Sequence, residues 1–355
     1  MKTRSLKIFL GTFLTLLIVA CGEPDPSFSL LADNDVFLQN TNEINTKIDI
    51  LWVIDNSGSM ETSQDALAAN FEEFIDGFRD RGFDFQMAVT TTEAYRDLFN
   101  ANSTYSRFRD GTNATSHTGH FIVTPETPDF ENVFLTNVLQ GINGSGDERA
   151  FSSFQTALDN PLNQGFLRPD SFVAVIIVSD EDDLSHDNSN YIGNINDPAI
   201  HPIQNYIDYL DQITNSTTDF KRYSVSALAI FDEACRQQLN DEWPGRRIGE
   251  RYQQLVEATG GEKGSLCENF AVILDFISEG IIQLATQFYL NRIPKPETIE
   301  VIINDVIIPE VADVNDPKNG WLYNAQNNSV MFYGSAIPPQ GASIQINYDP
   351  VAVGQ

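Results

Sequence analysis

Basic residues are scarce in this chain. Its 355 residues include 21 Lys and Arg against 50 Asp and Glu, a formal net charge of −29 at pH 7. Such a chain repels polyanions, which excludes non-specific nucleic-acid binding, and an anionic lipid surface repels it for the same reason. Cysteine is nearly absent, at three residues, so this is no disulfide-built miniprotein. There are only four histidines. His117 and His120 sit in a Gly/Thr/Ser-rich stretch with no third ligand to name and read as ordinary loop histidines; His186 and His201 stand alone. No nucleophile elbow, Cys/His pair or placed general base is present, so a metal-dependent hydrolase, which would use acidic residues to activate water, finds little support. What is plentiful is apolar surface: 41% of residues are hydrophobic, enough for a real core. The length suits two domains, or one large α/β domain with additions.

The N-terminus reads as an address. Lys2, Arg4 and Lys7 precede an apolar stretch over residues 8–20, broken only by Gly11, Thr12 and Thr15. It is too short for a membrane span of roughly 20 residues and suits a signal-peptide core. Ile18-Val19-Ala20-Cys21 resembles a bacterial lipobox. That resemblance implies cleavage before Cys21 and acyl chains on it, with two or more chains needed for stable anchoring. Gly22 stands where an inner-membrane retention Asp would be, which points to the outer membrane of a Gram-negative cell. Loss of residues 1–20 removes three positive charges and no negative ones, taking −29 to −32. Residues 21–45, with Pro24 and Pro26 and no sustained periodicity, read as a lipidated tether. With Cys21 taken by lipid, an exported context permits a disulfide between Cys235 and Cys267, two free buried thiols being the alternative.

After the tether, strand and helix patterns alternate. Lys47–Ile54 is a nearly continuous apolar run, as in a strand buried on both faces. A polar turn follows. Leu67, Phe71, Phe74, Ile75 and Phe78 then keep helical spacing, and Arg81-Gly82 is a helix stop. Residues 83–89 predict a second strand, and residues 92–131 a long polar insertion. Further helices are expected near 148–158, 203–213, 251–258 and 268–285, and strands at 172–179 and 223–231. This alternation predicts a doubly wound, mostly parallel sheet with flanking helices, a Rossmann-like α/β fold.

Such sheets bind ligands outside the carboxyl ends of their strands. Two acidic motifs fall there. Asp55-x-Ser57-x-Ser59 follows the first strand, and Asp180 follows residues 172–179. Two hydroxyls and two carboxylates suit a hard divalent cation, which takes oxygen ligands and retains water. The alternative is a helix N-cap without metal. Glu181, Asp182 and Asp183 extend the second motif and read as a solvated loop rather than a second cation site.

Residues 48–60, from Ile48 through Asp55-Asn56-Ser57-Gly58-Ser59-Met60, resemble the first strand and metal-ion-dependent adhesion site of von Willebrand factor type A (VWA) domains. Ile176-Ile177-Val178-Ser179-Asp180 resembles their fourth strand with its metal-site Asp. The resemblance spans roughly residues 46–293. It implies direct metal contacts from Ser57 and Ser59, water-mediated contacts from Asp55 and Asp180, Mg2+ as the metal (Ca2+ or Mn2+ as alternatives), and a protein partner that offers an acidic residue. The family also places a Thr before the next helix. Here that loop reads Gly141-Ile142-Asn143-Gly144-Ser145-Gly146-Asp147-Glu148, without Thr. Ser145 is the first candidate for the fifth ligand and Glu148 the second; Glu148 would lower the charge of the site and weaken its pull on an acidic ligand.

Residues 294–355 differ in composition. Period-2 patterns and turn residues predict a small all-β module that packs on the larger domain and carries no evident chemistry. The expectation is a cell-envelope lipoprotein that binds a protein and is not an enzyme. The alternative is a structural lipoprotein whose metal only stabilises its loops.

Overall fold

The computed structural model describes residues 34–35, 47–100, 103–111, 117–218 and 220–351. The expected signal, Cys21 and all of the tether except Asn34–Asp35 lie outside these residues. No helix among the described residues is long and apolar enough to cross a membrane.

The short strand Asn34–Asp35 (β1) pairs with a C-terminal strand described below. Lys47–Ile54 (β2) runs through the middle of a six-stranded sheet, and every residue after Lys47 is buried. Alternation along the strand splits it between two cores. Ile48, Ile50, Trp52 and Ile54 enter one apolar cluster; Leu51 and Val53 enter the other. Fully buried Trp52 meets the edge of Phe74 at 4.9 Å. Burial of a ring this size is worth about 1.5–3 kcal/mol.

The expected single helix after the turn is two, Glu61–Ala69 (α1) and Phe71–Arg79 (α2). Asn70 breaks it: its backbone leaves the helical region, and its side-chain amide donates to Ala66 O at 2.7 Å. Gly82, at φ +68°, completes the stop as expected. Asp84–Thr91 (β3) follows, two residues longer at its end than the sequence predicts. Ile122–Val123 (β4), from the polar insertion, adds antiparallel to the edge of β3. Then come Phe130–Val138 (α3), Ala150–Asp159 (α4), Phe172–Val178 (β5), Gln204–Thr214 (α5) and Tyr223–Ala229 (β6). Glu233–Asn240 (α6), Glu250–Thr259 (α7), Lys263–Ser265 (β7) and Phe270–Ala285 (α8) close this part. The strand order is β4-β3-β2-β5-β6-β7, parallel except for β4.

That order positions the site. From β2 the chain steps to β3 on one side, then crosses to β5 on the other. Beyond the carboxyl ends of β2 and β5 lies the switch-point crevice that doubly wound sheets use for ligands.

Two small antiparallel sheets complete the fold. Glu300–Ile303 (β9) and Val306–Ile308 (β10) join Ile344–Asn347 (β13) and β1 in the order β1-β13-β9-β10. Gly320–Asn324 (β11), Ser329–Tyr333 (β12) and Phe288–Tyr289 (β8) form the other. Residues upstream of 294 therefore contribute strands to the C-terminal sheets. Val301, Val330, Phe332 and Ile344 share one core cluster with Trp52 and Phe74, so this region packs on the large sheet without a solvent gap.

Cys235 and Cys267 form a disulfide that ties α6 to the segment before α8. Their separation is 32 residues. Closing a loop of that length stabilises by roughly 3–4 kcal/mol in the chain-entropy account. The Cys235→Ser/Cys267→Ser variant should melt several degrees lower than wild type by calorimetry; an unchanged Tm would show that the crosslink contributes nothing.

Candidate functional site

The turn after β2 is built by its own polar side chains. The Ser57 N–H donates to Asp55 Oδ1 at 2.8 Å, and the Asp55 N–H donates to Val178 O at 2.9 Å. Asp55 is thereby bound to the end of β5, and its other oxygen accepts from Ser179 Oγ at 2.7 Å. The hydroxyls of Ser57 and Ser59 lie 3.2 Å apart, and Ser59 Oγ donates to Asp180 Oδ1 at 3.0 Å. Asp55, Ser57, Ser59 and Asp180 thus meet where β2 and β5 end. The N-cap position of α1 is Met60, with no side-chain cap. Neither serine is consumed in capping that helix, so the N-cap reading of this motif is not realised.

Three further groups lock this turn to its neighbours. Gln64 donates to both Asp55 O and Gly141 O, each at 2.9 Å, and accepts from the Gly141 N–H. Glu93, just past β3, accepts from Asn56 Nδ2 and from the Ser145 N–H, each at 3.2 Å. The Gly144 N–H donates to Asn56 O at 2.7 Å. A Cβ on Gly144 would stand 2.6 Å from three Asn56 atoms, backbone O included. Gly144→Ala must therefore push the 141–148 loop off the β2 turn. It should weaken cation binding at this site about tenfold or more in calorimetry, and wild-type affinity would show that the loop's approach is not needed. Sequence reading passed over Gln64 and Glu93, although Glu93 also follows a predicted strand end.

The two fifth-position candidates differ. Ser145 is half-buried, and its Oγ accepts from the Asp147 N–H at 3.1 Å; none of its hydrogen bonds reaches Asp55, Ser57, Ser59 or Asp180. Glu148 is fully buried, and neither carboxylate oxygen accepts a hydrogen bond of ordinary geometry, the Thr92 hydroxyl making only a looser contact that lowers its pKa slightly. Leaving such a group unsatisfied is costly. Burial, with added repulsion from Asp55, pushes its pKa well above the usual carboxylate range. Asp55 rises to about 7 through burial and the neighbouring Asp180. Glu181 rises to about 7 through burial and Asp55. Four acidic side chains thus oppose one another at the end of β5.

Two cations reach the cluster: Arg247 lies 3.9 Å from Glu181, and Arg246 enters more closely. Arg246, from the α6–α7 connection, places Nε 2.5 Å from Asp180 Oδ2 and donates through Nη2 to Ser59 O at 2.9 Å. The loop that carries it has no periodic pattern, so the sequence offered only a pair of basic residues, Arg246-Arg247, in an acidic chain.

One expectation is corrected by packing. Asp182 and Asp183 are not in a solvated loop but buried. Asp182 accepts from the Arg251 N–H at the start of α7, and Asp183 from the Phe151 N–H at the start of α4. Asp183 also pairs with the Arg251 guanidinium at 3.1 Å. They anchor the β5 loop to two helices. His117 pairs with Asp110 at 3.0 Å, and His186 is buried between backbone carbonyls.

Among the described residues, no group of three or more His, Cys, Asp or Glu side chains forms a metal cage. The donors at the β2–β5 crevice are instead two hydroxyls with carboxylates around them. That donor set, with the buried Glu148 beside it, fits a hard divalent cation. A cavity of about 530 Å³ opens beside the loop, lined by Tyr95, Arg96, Phe99, Ser145, Asp147 and Tyr191 among others.

No protein-family model matches the chain, and no curated protein matches it. Among solved structures it is similar to the pilus adhesin SpaC from Lactobacillus rhamnosus GG in its open conformation, at 11% identity and a TM-score of 0.39, over 87% of this chain and 39% of that one. It is also similar to proximal thread matrix protein 1 from the mussel byssus, at 13% identity and a TM-score of 0.40, over 70% of this chain and 51% of that one. The chain spans less than two thirds of either protein, and likeness at these scores carries no functional argument.

Proposed function

We infer that this chain is a cell-envelope lipoprotein that binds a protein partner through a divalent cation held in a VWA-type domain. Ser57, Ser59, Asp55 and Asp180 would hold the cation, as the resemblance of the two strand-end motifs implies, and Glu148 would take the fifth position in preference to Ser145. The observation that carries this reading is Glu148. A fully buried carboxylate repelled by Asp55 and Asp180, and eased only by a loose contact with the Thr92 hydroxyl, is an arrangement that a cation would satisfy.

Bound Mg2+ would act as a Lewis acid with room for an external oxygen ligand. The residues of this chain would place it: Ser57 and Ser59 would contribute neutral oxygens, while Gln64 and Glu93 fix the loops that carry them. The strongly acidic chain sets a field that favours cation loading and opposes acidic ligands, so the partner presents an acidic residue within a basic surround. A lipid on Cys21 would hold the protein at the outer membrane.

Affinity capture from cell envelopes tests the reading. Wild-type protein in Mg2+ should retain a partner that is lost in EDTA and with Asp55→Asn. Equal capture in Mg2+ and EDTA would overturn it. Metal-dependent melting without any metal-dependent partner would favour a purely structural metal.

A further inference from the structure

We propose that Arg246 is the built-in counter-charge of this site, offsetting its surplus of carboxylates through Asp180 so that the bound cation can still attract an anionic ligand. The inference rests on the cation-binding reading above and adds a specificity-determining residue to it.

Glu181 is offset by Arg247, 3.9 Å away; Asp55, Asp180 and Glu148 then carry three negative charges when ionised, and a divalent cation carries two positive ones. The set would then be negative and would repel a carboxylate. One fixed positive charge restores neutrality. A guanidinium suits the role because it stays protonated at any working pH.

Geometry places that charge on both halves of the site. Arg246 is buried, at 4% side-chain exposure, against Asp180 at 1%. Its Nε lies 2.5 Å from Asp180 Oδ2, the oxygen that faces away from Ser59; Nη2 donates to Ser59 O at 2.9 Å, and Nη1 donates to Leu239 O. The guanidinium therefore bridges the serine turn after β2 and the aspartate after β5. Its own loop is fixed in turn: the Arg246 N–H donates to Asn240 Oδ1 at 3.0 Å, and the Arg247 N–H to Asp180 O at 3.2 Å. The charge is thus fixed in place.

A fixed cation beside a metal repels it while pulling on anions. The two effects have opposite signs, and the sign separates this role from a merely structural one. If Arg246 only held Asp180 in place, its loss would weaken metal binding. As a counter-charge, its loss tightens metal binding.

Calorimetric titration with Mn2+ alone reads the sign directly. Arg246→Gln should bind Mn2+ about tenfold more tightly than wild type, a difference of one charge at short range. Glu148→Gln should bind it about tenfold more weakly, and Glu148→Gln/Arg246→Gln should return to within about threefold of wild type. Arg246→Lys, which keeps the charge and loses the planar fork, should stay near wild type. The double variant also measures the effect of Arg246 in a background relieved of Glu148, in case Arg246→Gln alone does not fold. Weaker Mn2+ binding on removal of Arg246, in either background, would overturn the counter-charge role while leaving the cation site standing. Absence of Mn2+ binding to folded wild-type protein would overturn the cation reading and this inference with it.

Discussion

Asp55→Asn should abolish the stabilisation of this protein by Mg2+ without unfolding it. Asp55 is fully buried between the turn after β2 and Ser179, and burial with the adjacent Asp180 raises it to about 7. Asn keeps an acceptor for the Ser57 N–H and removes the charge. In EDTA at pH 8 the variant should therefore melt at or above the wild-type temperature, because one of several mutually repelling acids is gone. In Mg2+ at a hundred times its Kd, wild type should gain about 2.7 kcal/mol by mass action. At about 2 °C per kcal/mol for a large domain, that is roughly a 5 °C rise. The variant should gain nothing. A full Mg2+ shift in Asp55→Asn, measured by scanning calorimetry, would place the cation elsewhere.

The metal-free protein should lose stability as pH rises from 5 to 8. Asp55, Glu181 and Asp182 are each raised to about 7, and Glu148 well above its ordinary value, in every case chiefly by burial. Their unfolded values lie near 4. Between about 4 and 7 the folded state thus holds protons that the unfolded state has released. The contribution is fully present below pH 4 and is lost as pH climbs through 7 and beyond. The proposed cation binding at Asp55 and Glu148 would require deprotonated carboxylates, so Mg2+ affinity should rise over the same interval. The Tm–pH curve in EDTA should fall, and that in Mg2+ should flatten. A Tm in EDTA that is level or rising between pH 5 and 8 would contradict the charge arrangement described here.

Much of this was legible in the sequence because it is written locally. The runs in β2 and β5 have no polar face, so only a sheet covered on both sides can accommodate them, and the motifs that follow them must then emerge at one edge of that sheet. Asp55, Ser57, Ser59 and Asp180 were located by that reasoning, and the structure brings them together. Break points and long-range partners were less legible. Asn70 splits a helix whose apolar spacing continues unbroken through it. Asp182 and Asp183 look like a solvated run, because nothing local reveals that α4 and α7 point their N-termini at them. Arg246 lies 66 residues from Asp180 in a segment without periodicity, and only the packing of the α6–α7 connection onto the crevice joins the two. Between Ser145 and Glu148 the sequence favours the hydroxyl on chemical likeness, and nothing local in it reveals that Glu148 is fully buried among other acids.

The central claim is that the β2–β5 crevice holds one divalent cation. Titration of Mg2+ into wild-type protein and Asp55→Asn at pH 7.5, followed by isothermal calorimetry, tests it most directly. Wild type should show one site per chain, and the variant should lose at least a hundredfold in affinity. No binding to folded wild type, or equal binding to both, would contradict it.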